Sequence, residues 1–407
     1  PPACAALRAA RSASERVAGP PARRPCRLLP LVFARIPSDS DSGLMIFDGM
    51  RKLVRKVRAK PAPPPRPSRI EAYHERHRTE ALAALATLRS CGRPLAERDR
   101  LRAEEYAREV LGHPRYAYWL QVYAALQGAF SVGWIPDNAY GADLLAPLKG
   151  AYGRISKIKS LSARVLQTRL LPDLGSWVNG VLTTREGEVA DKRDPRSWLF
   201  AETDSVVFKP DEGEQGRGLQ FWTRSTFRPD DLWASPNGVV QKALRGPSLW
   251  RELRAGDLPT LRLTTVSDEE GEASVRGAYL RFAGSSGHVR GETALAVPLA
   301  LDGEGQLQAR VRAPDWTLSS HLPGSSQRLE EYRFPRFRDV LAMGLELQRR
   351  VPFVRCVGWD FVVDADEELW LLEWNGEHND IKLHEAFTGP CFADLGWEAL
   401  VRTSLSP

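Results

Sequence analysis

The sequence predicts a mixed α+β protein, on three observations: an N-terminal half that reads as helices, a C-terminal half of short β-like runs, and one helical pattern set between those runs. The 407 residues are enough for two or three domains, and 43% hydrophobic residues are enough for a large core. No run of about 18 apolar residues occurs, so nothing in the sequence reads as a membrane-crossing helix.

Residues 1–44 are rich in Ala, Arg, Pro and Ser and lack periodicity. They read as a disordered or mis-set N-terminal extension, with an Arg- and Ser-rich targeting peptide as the alternative. Residues 45–70 form the next segment. Ile46, Met50, Leu53, Val54 and Val57 fall at helical spacing among Arg51, Lys52, Arg55, Lys56 and Arg58, a short basic amphipathic helix followed by the stiff run Pro61 to Pro67. Such a helix either leans on the body of the protein or makes peripheral contact with an anionic membrane through residues 46–58.

Residues 71–134 read as a helical region, broken at Gly92-Arg93-Pro94 and Gly112-His113-Pro114, with no chemistry visible in it. From residue 135 to 404 comes the part expected to carry function. Lys157 to Leu171 reads as a helix. Strands are expected at SVVFKP, GLQFW, GVVQKAL, PTLRLTTV, VRGAYLRFAG, ALAVPLAL, CVGWDFVV and LWLLEW, with a helix over about Arg336 to Arg350.

Charge and cysteines bound the setting. Residues 1–70 hold 15 Lys and Arg against 4 Asp and Glu, so the remainder is mildly acidic and does not read as a nucleic-acid surface. The five cysteines are scattered and lack CxxC spacing, which argues against a disulfide framework or a zinc site and for a cytoplasmic protein.

The strongest chemical signal is Asp360, Glu373 and Asn375. Glu373 and Asn375 stand at i and i+2 on one strand and so share a face; if the strand carrying Asp360 pairs alongside, two carboxylates and an amide oxygen converge. Hard oxygen ligands of this kind suit Mg²⁺. The alternative is the wet face of an ordinary hairpin, but Trp359, Phe361, Leu371 and Trp374 crowd the run, where bare carboxylates are costly. A second signal is Lys209 at the end of a strand, followed by Gly213, Gly216 and Gly218, a loop able to close backbone N–H groups around phosphate, or simply a hairpin turn. The third is Arg262, on one strand face with Thr260 and Thr264, either a structural ion pair or a phosphate contact.

VVFKP with its glycine loop, VVQKA, PTLRLTT, VGWDFVV, LLEWN and GPCFADL occur in the order and approximate spacing of the ATP-grasp superfamily, and they resemble its sugar-transfer-associated family over about Ile135 to Leu400. The resemblance implies an ATP-grasp fold, two α+β subdomains gripping ATP. It also implies phosphate contacts from Lys209 and Arg262, an adenine-side hinge at Gln241, Lys242 and Ala243, and Mg²⁺ held by Asp360, Glu373 and Asn375. A further phosphate-contacting lysine is expected upstream, at Lys159 or, nearly as well, Lys157. Arg281 would stabilise a tetrahedral intermediate or form a salt bridge, and His378 and His384 would line an acceptor pocket. The implied activity is an ATP-dependent carboxylate-amine ligase, using an acyl-phosphate and a small-molecule amine or thiol, in polysaccharide or glycan biosynthesis. An ATP-grasp kinase and an inactive nucleotide-binding partner are the competing readings. Two departures stand out: Lys242 replaces the hinge acid, and the acceptor segment 284–300, which from His288 onward reads HVRGETALAVPLA, lacks the family's Asn and paired glycines.

Overall fold

Two antiparallel sheets meet at the cavity described below, and a layer of helices covers the larger one. The computed structural model describes residues 68–213, 216–253, 258–282 and 294–405, all within one compact unit, Arg66–Pro407. The basic segment 46–58, the 1–44 extension, the proline run and HVRGET lie outside the described residues.

Helix α1 (Arg69–Ser90) starts at a capping box in which the Ser68 hydroxyl accepts from the Glu71 N–H and the Glu71 carboxylate accepts from the Ser68 N–H. α2 (Glu97–Glu109) and α3 (Ala117–Gln127) follow, and α3, apolar on nearly all sides, ends at Gly128 in the left-handed conformation.

The expected helix over Lys157 to Leu171 does not form. Short helical pieces at Gly150–Lys157, Lys159–Leu161 and Ser162–Val165 replace it, and Gln167, with φ of 47°, turns the chain away from helix.

The first sheet has the order β2-β1-β5-β3-β4, built from β1 (Asp173–Val178), β2 (Val181–Thr184), β3 (Ser205–Pro210), β4 (Gln220–Thr223) and β5 (Gly238–Lys242). The second has the order β10-β9-β8-β7-β6-β11-β12. Its strands are β6 (Thr260–Ser267), β7 (Ala273–Phe282), β8 (Leu295–Pro298), β9 (Val311–Arg312), β10 (Leu318–Ser319), β11 (Cys356–Val363) and β12 (Leu369–Asn375).

Every residue of β6 and β11 is buried, because both faces of these central strands are covered. On one face packs α4 (Phe337–Arg350), whose Gly344 comes against Leu263. On the other face α1 to α3 share a core with α5 (Lys382–Thr388) and α6 (Trp397–Ser404), through Trp119, Trp134, Phe387 and Trp397. Side chains of that size contribute roughly 1.5–3 kcal/mol each when fully buried, so the helical region is bound into the same body as the second sheet.

Glu385 ties that junction. Its carboxylate, fully buried on α5, accepts from the Ile135 N–H and from the Cys391 N–H, both at 3.0 Å.

Candidate functional site

The β11–β12 hairpin brings the predicted trio together. Asp360 lies directly opposite Glu373 and Gly358 opposite Asn375, and the Asn375 Nδ2 donates to Asp360 Oδ2 at 3.3 Å. The intervening Trp374 points the other way and stacks on Trp359, ring centroids 6.1 Å apart. This is the alternation a half-buried strand imposes.

Asp360 is also the acid of a buried ion-pair network. Arg262 grips it with two bonds, Nε to Oδ1 at 2.6 Å and Nη2 to Oδ2 at 3.0 Å, and Arg281 Nη2 reaches Oδ2 at 2.6 Å. Burial by itself would raise the Asp360 carboxyl, but the two guanidinium groups outweigh it and hold it well below the usual carboxylate range. Both arginines thus take the ion-pair reading.

Glu373 differs. It lines the cavity with Asn375, no basic side chain forms an ion pair with it among the described residues, and burial followed by the nearby Asp360 raises its carboxyl. A desolvated carboxylate beside a second carboxylate is a donor set that a hard divalent cation satisfies. Among the described residues there is no cluster of three or more His, Cys, Asp or Glu able to hold a metal. Two carboxylates and one amide oxygen would leave the rest of an octahedral shell to phosphate oxygens and water, which is how Mg²⁺ is commonly held.

The cavity in front of this wall has a volume of about 1040 Å³. Gly213, Gly216, Lys157 and Lys159 close one side of it. Lys159 Nζ donates to the carbonyls of Asp211 at 3.0 Å and Gly213 at 2.7 Å, fastening the glycine loop, while Lys157 Nζ pairs with Glu377 at 2.5 Å. Lys209, on β3 of the first sheet, reaches Leu372 O on β12 at 3.4 Å, and burial lowers its ammonium against the opposing pull of Glu373. Gly218 does not line the cavity; its φ of +77° serves the turn under Pro210.

The expected hinge lies elsewhere. Gln241 is buried against Asp173, Nε2 to Oδ1 at 2.7 Å, and Lys242 and Ala243 border a separate cavity of about 280 Å³ with Arg245 and Asp364. The N–H groups of Lys242 and Ala243 already donate to Pro172 and Ser205 carbonyls, so neither is free to pair with a base. His384 also departs from expectation. It is buried behind the wall, its Nε2 2.8 Å from Thr264 Oγ1, and burial drives its pKa down to about 3, so the ring is neutral; His378 does line the cavity.

Sequence reasoning missed part of the wall. One face of α1, including Tyr73, His77, Glu80 and Ala84, faces the cavity, with Asp137, Arg312 and Trp316 nearby on its lining. The i, i+4, i+7, i+11 spacing of those α1 residues was the available signal, but a polar helical stripe ordinarily means solvent.

Residues 180–390, just over half of the chain, match the family described as sugar-transfer associated ATP-grasp. The chain belongs to that family. No curated protein matches it. Among solved structures, this ATP-grasp chain is similar to biotin carboxylase from Campylobacter jejuni in complex with β-γ-ATP, at 14% identity and a TM-score of 0.40, over 80% of this chain and 68% of that one. It is also similar to the biotin carboxylase domain of Hydrogenobacter thermophilus 2-oxoglutarate carboxylase, at 12% identity and a TM-score of 0.35, over 60% of this chain but only 45% of that one. L-amino acid ligase from Bacillus licheniformis matches at 11% identity and a TM-score of 0.34, over 62% of this chain and 49% of that one. No helix among the described residues of the ATP-grasp chain is long and apolar enough to cross a membrane.

Proposed function

We propose that the chain is a Mg-ATP-dependent ligase that activates a carboxylate as an acyl phosphate for capture by an amine or thiol. The observation that carries this reading is Glu373, a half-buried carboxylate on the cavity wall, opposite Asp360 and without an ion-pair partner among the described residues. Membership of the ATP-grasp family supports the nucleotide half of it.

In this reading a substrate carboxylate oxygen attacks the γ-phosphorus, the bond to the β–γ bridging oxygen breaks, and ADP leaves. The amine then attacks the acyl carbon, inorganic phosphate departs, and the amine nitrogen loses a proton. Magnesium, when bound, neutralises charge on the polyphosphate oxygens. Glu373, Asn375 and Asp360 are the residues that hold it. Lys209 and Lys159 set positive charge on the phosphate side, and Lys159 also fixes the glycine loop that excludes water. Arg262 and Arg281 orient Asp360, and in this reading Arg281 also meets the negative charge that develops on the acyl oxygen of the tetrahedral intermediate. We assign the substrates to small carboxylates and amines, glycan-linked in a cytoplasmic polysaccharide pathway, with support from the family's association with sugar transfer.

The test is ADP release by wild type and Glu373→Gln with candidate carboxylates and amines. The variant should unfold within a few degrees of wild type and lose roughly 10²-fold in turnover, the scale of one lost charged partner in the transition state. Unchanged turnover would remove Glu373 from the site. A phosphorylated hydroxyl product would make the protein a kinase, and nucleotide binding without ADP release would make it an inactive binding partner.

A further inference from the structure

Three arginines stand on one face of the seven-stranded sheet. Thr260 is paired with Arg281, Arg281 with Ala296, and Ala296 with Arg312, and directly opposed residues on neighbouring strands share a face. Arg262, two residues along β6 from Thr260, shares it too.

Two of the three are ion-paired with Asp360. Arg312 is not. Its hydrogen bonds go to carbonyls of its own turn, Nε to Ala313 at 3.0 Å and Nη2 to Pro314 at 3.4 Å, and its guanidinium lies 5.0 Å from the centre of the Trp316 ring. No acid forms an ion pair with it among the described residues. Burial lowers its pKa, with Asp380 and Asp315 opposing only through space, so the charge stands there at a cost.

The position has room for a ligand. Ala294 and Ala296 line the cavity between Arg281 and Arg312, so among the described residues of these strands no side chain longer than a methyl group stands between the two arginines. Arg281 adds a buried Nε with no acceptor. Two strand spacings place the Cα atoms of Arg281 and Arg312 about 10 Å apart. From Tyr73 to Thr87, the facing α1 wall extends this arm of the cavity over roughly 21 Å.

We infer that Arg312, with Arg281 across Ala296, forms an anion subsite that takes a second acidic group of the substrate, a carboxylate or phosphate, about two strand spacings from the reacting centre. The inference deepens the ligase reading and rests on it for what happens at the substrate's other end. A substrate with a single acidic group would leave Arg312 unpaired, whereas a diacid or phosphorylated acid would satisfy both ends of the cavity. Arg312 is a specificity-determining residue in this scheme, and Arg281 serves both ends.

The experiment is calorimetric titration of the full chain, with and without a non-hydrolysable ATP analogue and Mg²⁺, using glutarate and adipate, the monoacid hexanoate, and inorganic phosphate. Arg312→Met keeps the apolar stem over Trp316, and Arg312→Lys keeps the charge. Wild type should bind the diacids or phosphate at least about 10-fold more tightly than hexanoate, Arg312→Met should lose that margin, and Arg312→Lys should keep part of it. Whether the Arg312-dependent signal follows the diacids or phosphate identifies the acidic group. Equal binding by wild type and Arg312→Met, or no preference over hexanoate in wild type, overturns the inference. So does an Arg312→Met defect confined to the ATP analogue, which would give Arg312 to the nucleotide. Failure of wild type to bind the analogue would instead overturn the ligase reading, leaving the anion titrations to stand or fall by themselves.

Discussion

Asp360→Asn should destabilise the wild-type protein and stabilise the Arg262→Met/Arg281→Met background, a reversal of sign that follows from the geometry of the pair. In wild type Asp360 is 1% exposed and receives two bonds from Arg262 and one from Arg281. Neutralising it leaves two guanidinium groups facing each other in a desolvated wall. Loss of one member of a buried ion pair costs about 3–5 kcal/mol. Partial exposure of Arg281, at 15%, puts the expected loss nearer the lower end. With both arginines replaced by methionine, the remaining carboxylate is a bare buried charge, and changing it to Asn removes that penalty, for an expected gain of about 1–3 kcal/mol. Urea unfolding with linear extrapolation measures each corner of the cycle, and additivity within about 0.5 kcal/mol would mean no coupling. Destabilisation by Asp360→Asn in both backgrounds would refute the reasoning, because the aspartate would then be held by something other than the arginines.

Two further outcomes follow from buried carboxyls away from the cavity wall. Burial raises Asp173 to about 6 from an ordinary 3.8, with the Gln241 bond opposing, so between those values the folded state holds more proton than the unfolded. Stability from this group is present below 3.8 and falls as pH rises to 6; Asp173→Asn should flatten that decline and gain about 1–3 kcal/mol at pH 7, read by thermal unfolding across pH 4–7. Glu385→Ala strands the Ile135 and Cys391 N–H groups, at about 2–5 kcal/mol for two buried donors, and hydrogen exchange at those two amides should accelerate ahead of the rest of the core.

The parts of the site that could be read from sequence are those whose chemistry and geometry are local. Asp360, Glu373 and Asn375 sit on adjacent strands joined by a short turn, so strand alternation alone orients them. The β1–β2 hairpin had its own signal in Asn179-Gly180, both at positive φ, but the short flanking strands and Gly175 hid it. Arg312 could not be read. It belongs to a two-residue strand, and its alignment with Arg281 exists only through Ala296 of a third strand. The hinge expectation at Lys242 and Ala243 depends on which backbone N–H groups are free, and that is settled by Pro172 and Ser205, distant in sequence. Arg262 illustrates a different limit: its strand face followed from alternation, whereas the choice between ion pair and phosphate contact turned on Asp360, nearly a hundred residues downstream.

The charge balance of the wall bears on how a metal would enter it. Around the trio stand Arg262, Arg281, Lys159 and Lys209, against the carboxylates Asp360 and Glu373. A bare divalent cation would add positive charge beside these four cationic side chains, in a dielectric where repulsion is felt strongly. A cation that arrives already coordinated by polyphosphate brings net negative charge, which the lysines and arginines would then meet while, under the proposed function, Glu373, Asn375 and Asp360 would fill the remaining ligand positions. Metal affinity in the absence of nucleotide should therefore be weak, and the selectivity of the site should lie in the complex and not in the ion.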